Sequence, residues 1–219
     1  MIPPDFNHAV KVASLRRKFF ERDPVTCARE FIGCTLGFGR VRGIVVETEA
    51  YSALGDLACH TSKRVTARDF VAQHRAGSAY VYLNYGMHWL INFLVKSYAG
   101  EGFVLVRALE PLEGLDLMRR RRKQTKTELL CNGPAKLTQA LGITGHHHGC
   151  DPFTQIDWMI TSPTLNTGIE VEVSSRIGIS QAIDYPWRFL LKGSRYVSCG
   201  PLKKRRPDPL MGSGLLESD

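Results

Sequence analysis

The chain has 219 residues and a mass of 24.5 kDa, enough to bury a substantial core without disulfide or metal staples. Hydrophobic residues make up 43% and charged residues 23%, an ordinary globular composition that excludes a disordered or fibrous chain. Lys and Arg number 29 against 21 Asp and Glu, and the net charge of +8 favours a polyanionic partner such as nucleic acid without proving one.

Met1-Ile2-Pro3-Pro4-Asp5-Phe6-Asn7 has no apolar core of signal-peptide type. The apolar run Trp89–Val95 is too short to span a bilayer and is interrupted by Asn92. A soluble, unexported protein with no membrane partner is expected. The six cysteines (27, 34, 59, 131, 150 and 199) form no C-x-x-C pair and read as reduced thiols.

Residues 1–15 carry little pattern and read as a flexible arm. Asp23-Pro24 is a helix start, with an acidic cap and then Pro at the first helical position, and the helix runs to Gly33. Gly37-Phe38-Gly39 reads as a turn feeding a strand over Val41–Tyr51. From Tyr51 to Arg75 the sequence is polar and irregular, a long loop of the kind that is usually functional. Ser78–Leu83 and His88–Val95 flank Asn84-Tyr85-Gly86 and predict a hairpin, followed by a strand over Phe103–Leu109.

Pro111 is expected to open a helix with Leu112, Leu115 and Met118 on one face, running into Arg119–Lys123. Gly133-Pro134 starts a second helix, Ala135–Leu141. Residues 145–168 look loop-rich, and Gly168–Val173, Arg188–Lys192 and Tyr196–Ser198 close the sheet. The segment from Pro201 is Pro-rich and basic. The expectation is one α+β domain over 16–200, with mainly antiparallel strands, between the arm and a tail at 201–219.

In Ile44-Val-Val-Glu-Thr-Glu-Ala-Tyr51, strand alternation puts Glu47, Glu49 and Tyr51 on one face. Two carboxylates and a phenol emerging from an apolar run mark either a solvated strand end or a general base beside an aromatic platform. Tyr80 reads as core packing. Tyr85, at the hairpin tip, gains nothing from water unless a partner covers it, and in a basic protein a nucleic-acid base could do so.

Val46-Glu-Thr-Glu-Ala-Tyr51, His60, Tyr80-Val-Tyr-Leu-Asn-Tyr-Gly-Met87, Asn92, Arg107-Ala-Leu-Glu-Pro-Leu-Glu-Gly114 and Asn132-Gly-Pro-Ala-Lys-Leu137 together resemble the alkyladenine (3-methyladenine, N-methylpurine) DNA glycosylase family. The resemblance runs in order from about Phe19 to Ser198. It implies a curved antiparallel sheet with flanking helices and a DNA-inserting β-hairpin. It also implies a monofunctional enzyme that flips alkylated or deaminated purines (3-methyladenine, 7-methylguanine, hypoxanthine, ethenoadenine) out of double-stranded DNA and leaves an abasic site.

By the same resemblance Glu49 is the general base and Arg107 holds the attacking water and the carboxylate. Tyr51, His60 and Tyr82 sandwich the extruded base, and Asn92 crowds the amino group of normal guanine. Tyr85 fills the gap in the duplex with Met87 beside it, and Lys136 contacts the DNA backbone. No lysine matches a pocket position, so no Schiff base is implied. No cofactor or metal is expected, and the protein is expected to be a monomer, cytoplasmic and nucleoid-associated if bacterial and nuclear if eukaryotic.

One departure is Thr66-Ala-Arg-Asp69, where the family has Thr-x-Arg-Asn; an Asp near phosphate puts the local loop geometry in doubt. His88 is assigned no role. The tract His146-His-His-Gly-Cys150 has no second ligand pair and reads as an exposed loop rather than a metal site. Arg119–Lys123 and Lys203–Arg206 read as solvated faces, with phosphate contact the alternative. Gly37-x-Gly39-x-x-x-Gly43 misses the dinucleotide-binding spacing and precedes a strand. Two other functions compete: a binding module that kept the fold without catalysis, and a free-nucleoside hydrolase, which would need neither the Tyr85 wedge nor a basic surface.

Overall fold

The computed structural model describes residues 13–163 and 168–198. A 3-10 turn, Arg17–Phe20, leads into α1 (Pro24–Glu30), where Asp23 Oδ1 accepts the Thr26 N–H at 2.9 Å and Pro24 occupies the first turn. β1 (Thr35–Phe38) then turns at Gly39-Arg40 into β2 (Val41–Ser52). Two short helices follow, α2 (His60–Lys63) and α3 (Val65–Gln73), and then the hairpin of β3 (Ala79–Asn84) and β4 (His88–Ser97). The long strand β5 (Gly100–Glu113) precedes α4 (Leu115–Arg122) and α5 (Pro134–Leu141). Three short strands finish the sheet: β6 (Trp158–Thr161), β7 (Val171–Ser174) and β8 (Arg188–Leu191).

Among the described residues every strand pairing is antiparallel, in the order β3-β4-β5-β2-β1-β6, with β8 joining β2 and β7. The fold is α+β, one domain built on a curved sheet, with helices against it and the β3–β4 hairpin standing out from it. β2 is its axis. One edge of β2 pairs with β5; the other is shared, residues 41–44 with β1 and residues 47–49 with β8. Besides an irregularity at Arg42/Gly43, the β2–β5 ladder carries two compensating bulges around Glu47, an extra residue at Val46 on β2 and another at Arg107 on β5. Bulges bend a strand and re-aim side chains, and these two bring Arg107 over Glu47 and Glu49.

The main core lies between the sheet and α1, where Phe20, Phe31 and Phe93 meet with ring centroids 5.4 to 5.7 Å apart. A second apolar cluster joins α3 to the hairpin. Phe70 packs edge-on against Tyr80 at 4.9 Å, and Tyr80 stacks on Phe103 at 4.4 Å. Tyr80 is therefore core, as its strand context implied. At Gly102 a Cβ would sit 2.0 Å from the Tyr51 carbonyl oxygen, so only glycine lets β5 pass that close to β2.

Several expectations are corrected. Pro111 does not open a helix; it lies in β5 opposite Gly43, beyond the last residue of β5 that pairs with β4, so its missing N–H breaks no ladder bond there. The helix starts at Leu115 after Gly114, and Leu112 is exposed rather than on its apolar face. Residues 60–73 are not loop but two helices, because Ala67, Phe70 and Val71 have a core to bury into. Gly37 and Phe38 belong to a strand, and β6 emerges from the supposed loop 145–168 to pair with it. Tyr196–Ser198 forms no strand. Ser14 bridges Thr161 and the Leu15 N–H reaches the Ile160 carbonyl, so 13–15 are pinned to the sheet edge. The rest of the arm and the tail from Pro201 lie outside the described residues.

The Arg119–Lys123 run is not simply a solvated face. Arg121 Nη1 donates to the Ala140 and Leu141 carbonyls at 2.9 and 2.8 Å, and Arg122 Nε donates to Leu130 O at 3.0 Å. Cations on the open carbonyls at the end of α5 satisfy those acceptors and favour the helix dipole.

Glu47 accepts four hydrogen bonds from three distant parts of the chain. Fully buried, it accepts from Arg107 Nε at 3.0 Å, Arg188 Nε at 2.7 Å, and the Ser198 hydroxyl and N–H at 2.8 and 2.5 Å. One carboxylate thus ties β2, β5, β8 and the chain at 198. Glu47→Ala is expected to cost about 3–5 kcal/mol in urea denaturation, since it strips the carboxylate from buried arginines; a loss below about 1 kcal/mol would show that the node contributes as little as a surface pair.

Candidate active site

Strand alternation in β2 aims Glu47, Glu49 and Tyr51 to the same side, and all three are withdrawn from water rather than solvated. Glu49 Oε2 accepts the Tyr51 hydroxyl at 2.7 Å and pairs with Arg107 Nη1 at 3.1 Å. Its Oε1 accepts the Ile177 N–H at 2.7 Å. Burial raises the Glu49 pKa above the ordinary carboxylate value; Arg107, the Ile177 N–H and Tyr51 oppose the rise, and Glu47 adds to it. Burial works against the Arg107 charge too, yet Glu49 and Glu47 outweigh it and hold its pKa above the usual value. The Tyr51 phenol is pushed well up by burial and by Glu49, so it stays a donor.

In front of this group opens a cavity of about 430 Å³, within the range of small-ligand sites. Tyr51, His60, Tyr82, Asn92, Arg107 and Ile177 are among its walls, while Glu49 stands directly behind Tyr51, Arg107 and Ile177. His60, at the start of α2, meets the Tyr82 ring at 4.4 Å, and its Nδ1 lies 3.0 Å from the Tyr80 hydroxyl. Burial, with Arg64 adding, pushes the His60 pKa down to about 4, so the imidazole is neutral at neutral pH. Burial pushes the Tyr82 phenol up to about 12. Asn92, paired with Tyr80 across the hairpin, donates from Nδ2 to the Tyr80 carbonyl at 3.3 Å.

The hairpin tip faces the mouth of the cavity. Asn84 O accepts the Met87 N–H at 3.1 Å, and the two residues between, Tyr85 and Gly86, have φ of +49° and +67°. Positive φ at both central positions matches the twist of a hairpin, but for a bulky residue it is strained, by about 1–3 kcal/mol. The strain holds Tyr85 out: it is 82% exposed and Met87 71% exposed. Lys63 and Arg64 add positive charge at the rim, with Arg64 Cζ 5.8 Å from the Tyr82 ring. Lys63 thus reaches the cavity rim from a position outside the motifs that carry the resemblance. Lys136, on the first turn of α5, is outside the wall and pairs with Asn132 at 2.8 Å, whereas Pro134 on the same turn is in it.

The structure thus gathers six of the sequence-named residues around one cavity and sets Tyr85 at its mouth. Sequence reasoning left Glu47 without a role and missed Asp56, Arg176, Ile177, Arg188 and Ser198. Residues 174–187 have no periodic pattern, and Arg176, which pairs with Asp56, and Arg188 and Ser198, which bond Glu47, lie more than a hundred residues away from them along the chain. His147 caps the 3-10 turn at Gly145–His147 and lies edge-on to Phe38 at 4.6 Å, while His148 donates to Val81 O at 2.7 Å. Those two imidazoles serve different elements. Asp69 is exposed on α3, and Arg68 turns instead to the Thr61 carbonyl at 2.7 Å.

The methylpurine-DNA glycosylase family profile matches residues 18–195. The chain belongs to the methylpurine-DNA glycosylase family. Among its relatives, a protein of Agrobacterium fabrum is 43% identical over 192 residues, covering 88% of this chain and 94% of the relative. One from Rhodopseudomonas palustris is 45% identical, covering 84% and 90%, and one from Methanoculleus marisnigri is 44% identical, covering 84% and 98%. Each carries 3-methyladenine DNA glycosylase in its name. This glycosylase is a DNA N-glycosylase of the 3-methyladenine type, and base flipping is implied by its family. Among the described residues no helix is long and apolar enough to cross a membrane.

His60 gives the glycosylase a pH signature. Its pKa lies below the ordinary 6.5 in the folded state, so the unfolded chain takes up that proton first as pH falls. Its contribution to stability is complete above pH 6.5 and is lost as pH falls toward 4. Melting temperatures of wild type and His60→Gln are expected to converge over that window; a constant difference would mean that His60 is not held neutral.

Proposed function

We propose that Glu49 is the general base of a monofunctional glycosylase that hydrolyses alkylated and deaminated purines from double-stranded DNA. The observation that carries this reading is the placing of one buried carboxylate behind an aromatic cavity, in contact with three of its walls. A carboxylate offers about four lone-pair sites. Tyr51 and Arg107 occupy those of Oε2 and the Ile177 N–H one of Oε1, which leaves a single acceptor site on Oε1 for the attacking water. Rupture of the N-glycosidic bond builds positive charge on the sugar, which a nearby carboxylate stabilises while taking the proton from water. Arg107 favours the ionised form of that carboxylate against its burial and orients it.

The target base has to leave the stack at a cost of a few kcal/mol, and Tyr85, already held out in a strained turn with Met87 beside it, offsets part of that cost by keeping the gap open. Tyr51, Tyr82 and neutral His60 then hold the base. Aromatic faces attract a cationic alkylpurine by about 0.5–2 kcal/mol, and a neutral imidazole does not repel it. Asn92 excludes the amino group of guanine by its bulk, and Lys136 meets the DNA backbone. The substrate range is 3-methyladenine, 7-methylguanine, hypoxanthine and ethenoadenine, and the enzyme acts as a monomer. Carboxylate and guanidinium are the ionic groups at the back of the cavity and neither forms a Schiff base; Lys63 stands at the rim.

The test is single-turnover excision from a duplex carrying one hypoxanthine or one ethenoadenine, read by alkaline cleavage of the abasic site, then 7-methylguanine and 3-methyladenine. Glu49→Gln is expected to lower the rate by about 10²–10⁴ with duplex binding intact. A near-wild-type rate would remove Glu49 from the chemistry. Borohydride is expected to trap no protein–DNA adduct, and an adduct lost in Lys63→Ala would overturn the monofunctional reading. Tyr85→Ser is expected to shift the flipped-base equilibrium of ethenoadenine toward the stacked state, read by its fluorescence.

A further inference from the structure

The buried ion next to the cavity that no family motif accounts for is Arg176. Its guanidinium is closed to solvent and makes four hydrogen bonds through Nη1 and Nη2, while Nε has no partner among the described residues. Nη1 donates to Asp56 Oδ2 at 2.6 Å and to the Ala50 carbonyl at 3.0 Å. Nη2 donates to Asp56 Oδ1 at 2.9 Å and to the Ala182 carbonyl at 3.1 Å. Its two faces are covered as well, by Tyr51 with Cζ 4.7 Å from the ring centroid and by Trp187 at 5.2 Å. A planar fork is needed for this set of contacts, and an ammonium cannot reproduce it.

Each partner leads to a wall of the cavity. Ala50 lies between Glu49 and Tyr51. Asp56 also accepts the Ser52 and Ala58 N–H groups at 3.2 and 3.0 Å, which shapes the turn that delivers His60. Ala182 closes the loop whose residues Ile177–Gln181 line the cavity, and the Ile177 N–H, one peptide from Arg176, is the donor to Glu49 Oε1. Arg176 itself is not part of the cavity wall.

We propose that Arg176 is a positioning residue that clamps Tyr51 from behind and holds the Ile177 N–H on Glu49, and so sets the pH range over which this glycosylase works. The proposal rests on the reading of Glu49 as the base. Burial already favours the protonated carboxyl, and the Ile177 N–H is one of the groups that oppose it. The other charged or titratable groups around Glu49 are Glu47 and Tyr51 on β2, Arg107 on β5, Tyr82 on β3, Arg188, its ladder partner on β8, and Arg176 itself. Replacing Arg176 by Met withdraws both its charge and, by releasing the 176–182 loop, the N–H; replacing it by Lys keeps the charge and tests the N–H alone. The Glu49 pKa then rises, and the acid limb of the rate profile moves to higher pH.

The experiment measures single-turnover excision from a duplex with one methylpurine between about pH 5 and 9, for wild type, Arg176→Met, Arg176→Lys and Glu49→Gln. Arg176→Met is expected to move the acid limb up by about one pH unit, roughly tenfold in rate on that limb, with the rate recovering at high pH. Arg176→Lys, which keeps the charge but not the fork, is expected to fall between the two. A lowered melting temperature with a superimposable pH profile would make Arg176 merely structural and overturn the proposal. Should Arg176→Met not fold, Arg176→Lys and Asp56→Asn carry the same comparison, and unmoved limbs in both overturn it. Glu49→Gln separates the two failures: if it stays active the reading of the base fails, and if it is inactive while the Arg176 limbs do not move, only the clamp fails.

Discussion

Two carboxylates and a guanidinium buried side by side in the middle of a β-sheet are the constraint on which the rest of this glycosylase depends. Charges removed from water are costly unless each is paired and its remaining hydrogen-bond sites are filled. Glu47, Glu49 and Arg107 meet that condition only together, with Arg107 reaching both carboxylates and Arg188 and Ser198 completing Glu47. Geometry follows from it. A regular β2–β5 ladder would give Arg107 a cross-strand partner and a fixed side; the two bulges free it to lie over β2. Glu47 anchors the arrangement, and Glu49 is left as the member that faces the cavity walls.

The aromatic walls draw their order from a different source. Tyr80 and Phe103 stack beneath the cavity, Phe70 of α3 closes the cluster, and Tyr51 and Tyr82 rest on it. Pocket and core are thus one packed body, and a rotamer change in the wall disturbs neighbours at core density. Electrostatics is layered in the same direction. Positive side chains stand at the rim, neutral aromatics and His60 form the middle, and the carboxylate sits deepest, behind Tyr51. A carboxylate placed at the surface would repel DNA. Among the described residues three non-glycine positions, Tyr85, Lys123 and Ala182, hold a backbone conformation that glycine prefers, and Tyr85 does so at the hairpin tip.

Local chemistry made some of this legible in the sequence. Asp23-Pro24 and Gly133-Pro134 start helices because capping acts within one turn. Glu47, Glu49 and Tyr51 share a side because alternation is a property of a strand alone. The resemblance carried the cavity residues, Tyr51, Tyr82 and Arg107 within contiguous runs and His60 and Asn92 as single positions between them. Tertiary contacts decided the rest. Whether Glu47 and Glu49 were a solvated end or a buried pair depended on Arg107 and Arg188 arriving from β5 and β8. Pro111 reads as a helix start locally and sits in a strand because β2 pairs with it there. The helices at 60–73 exist because Tyr80 and Phe103 offer a surface to bury against, and β6 because β1 offers an edge. Arg176 and Asp56 are silent in sequence: an ion pair across 120 residues leaves no local pattern, and only the fold brings its two halves together.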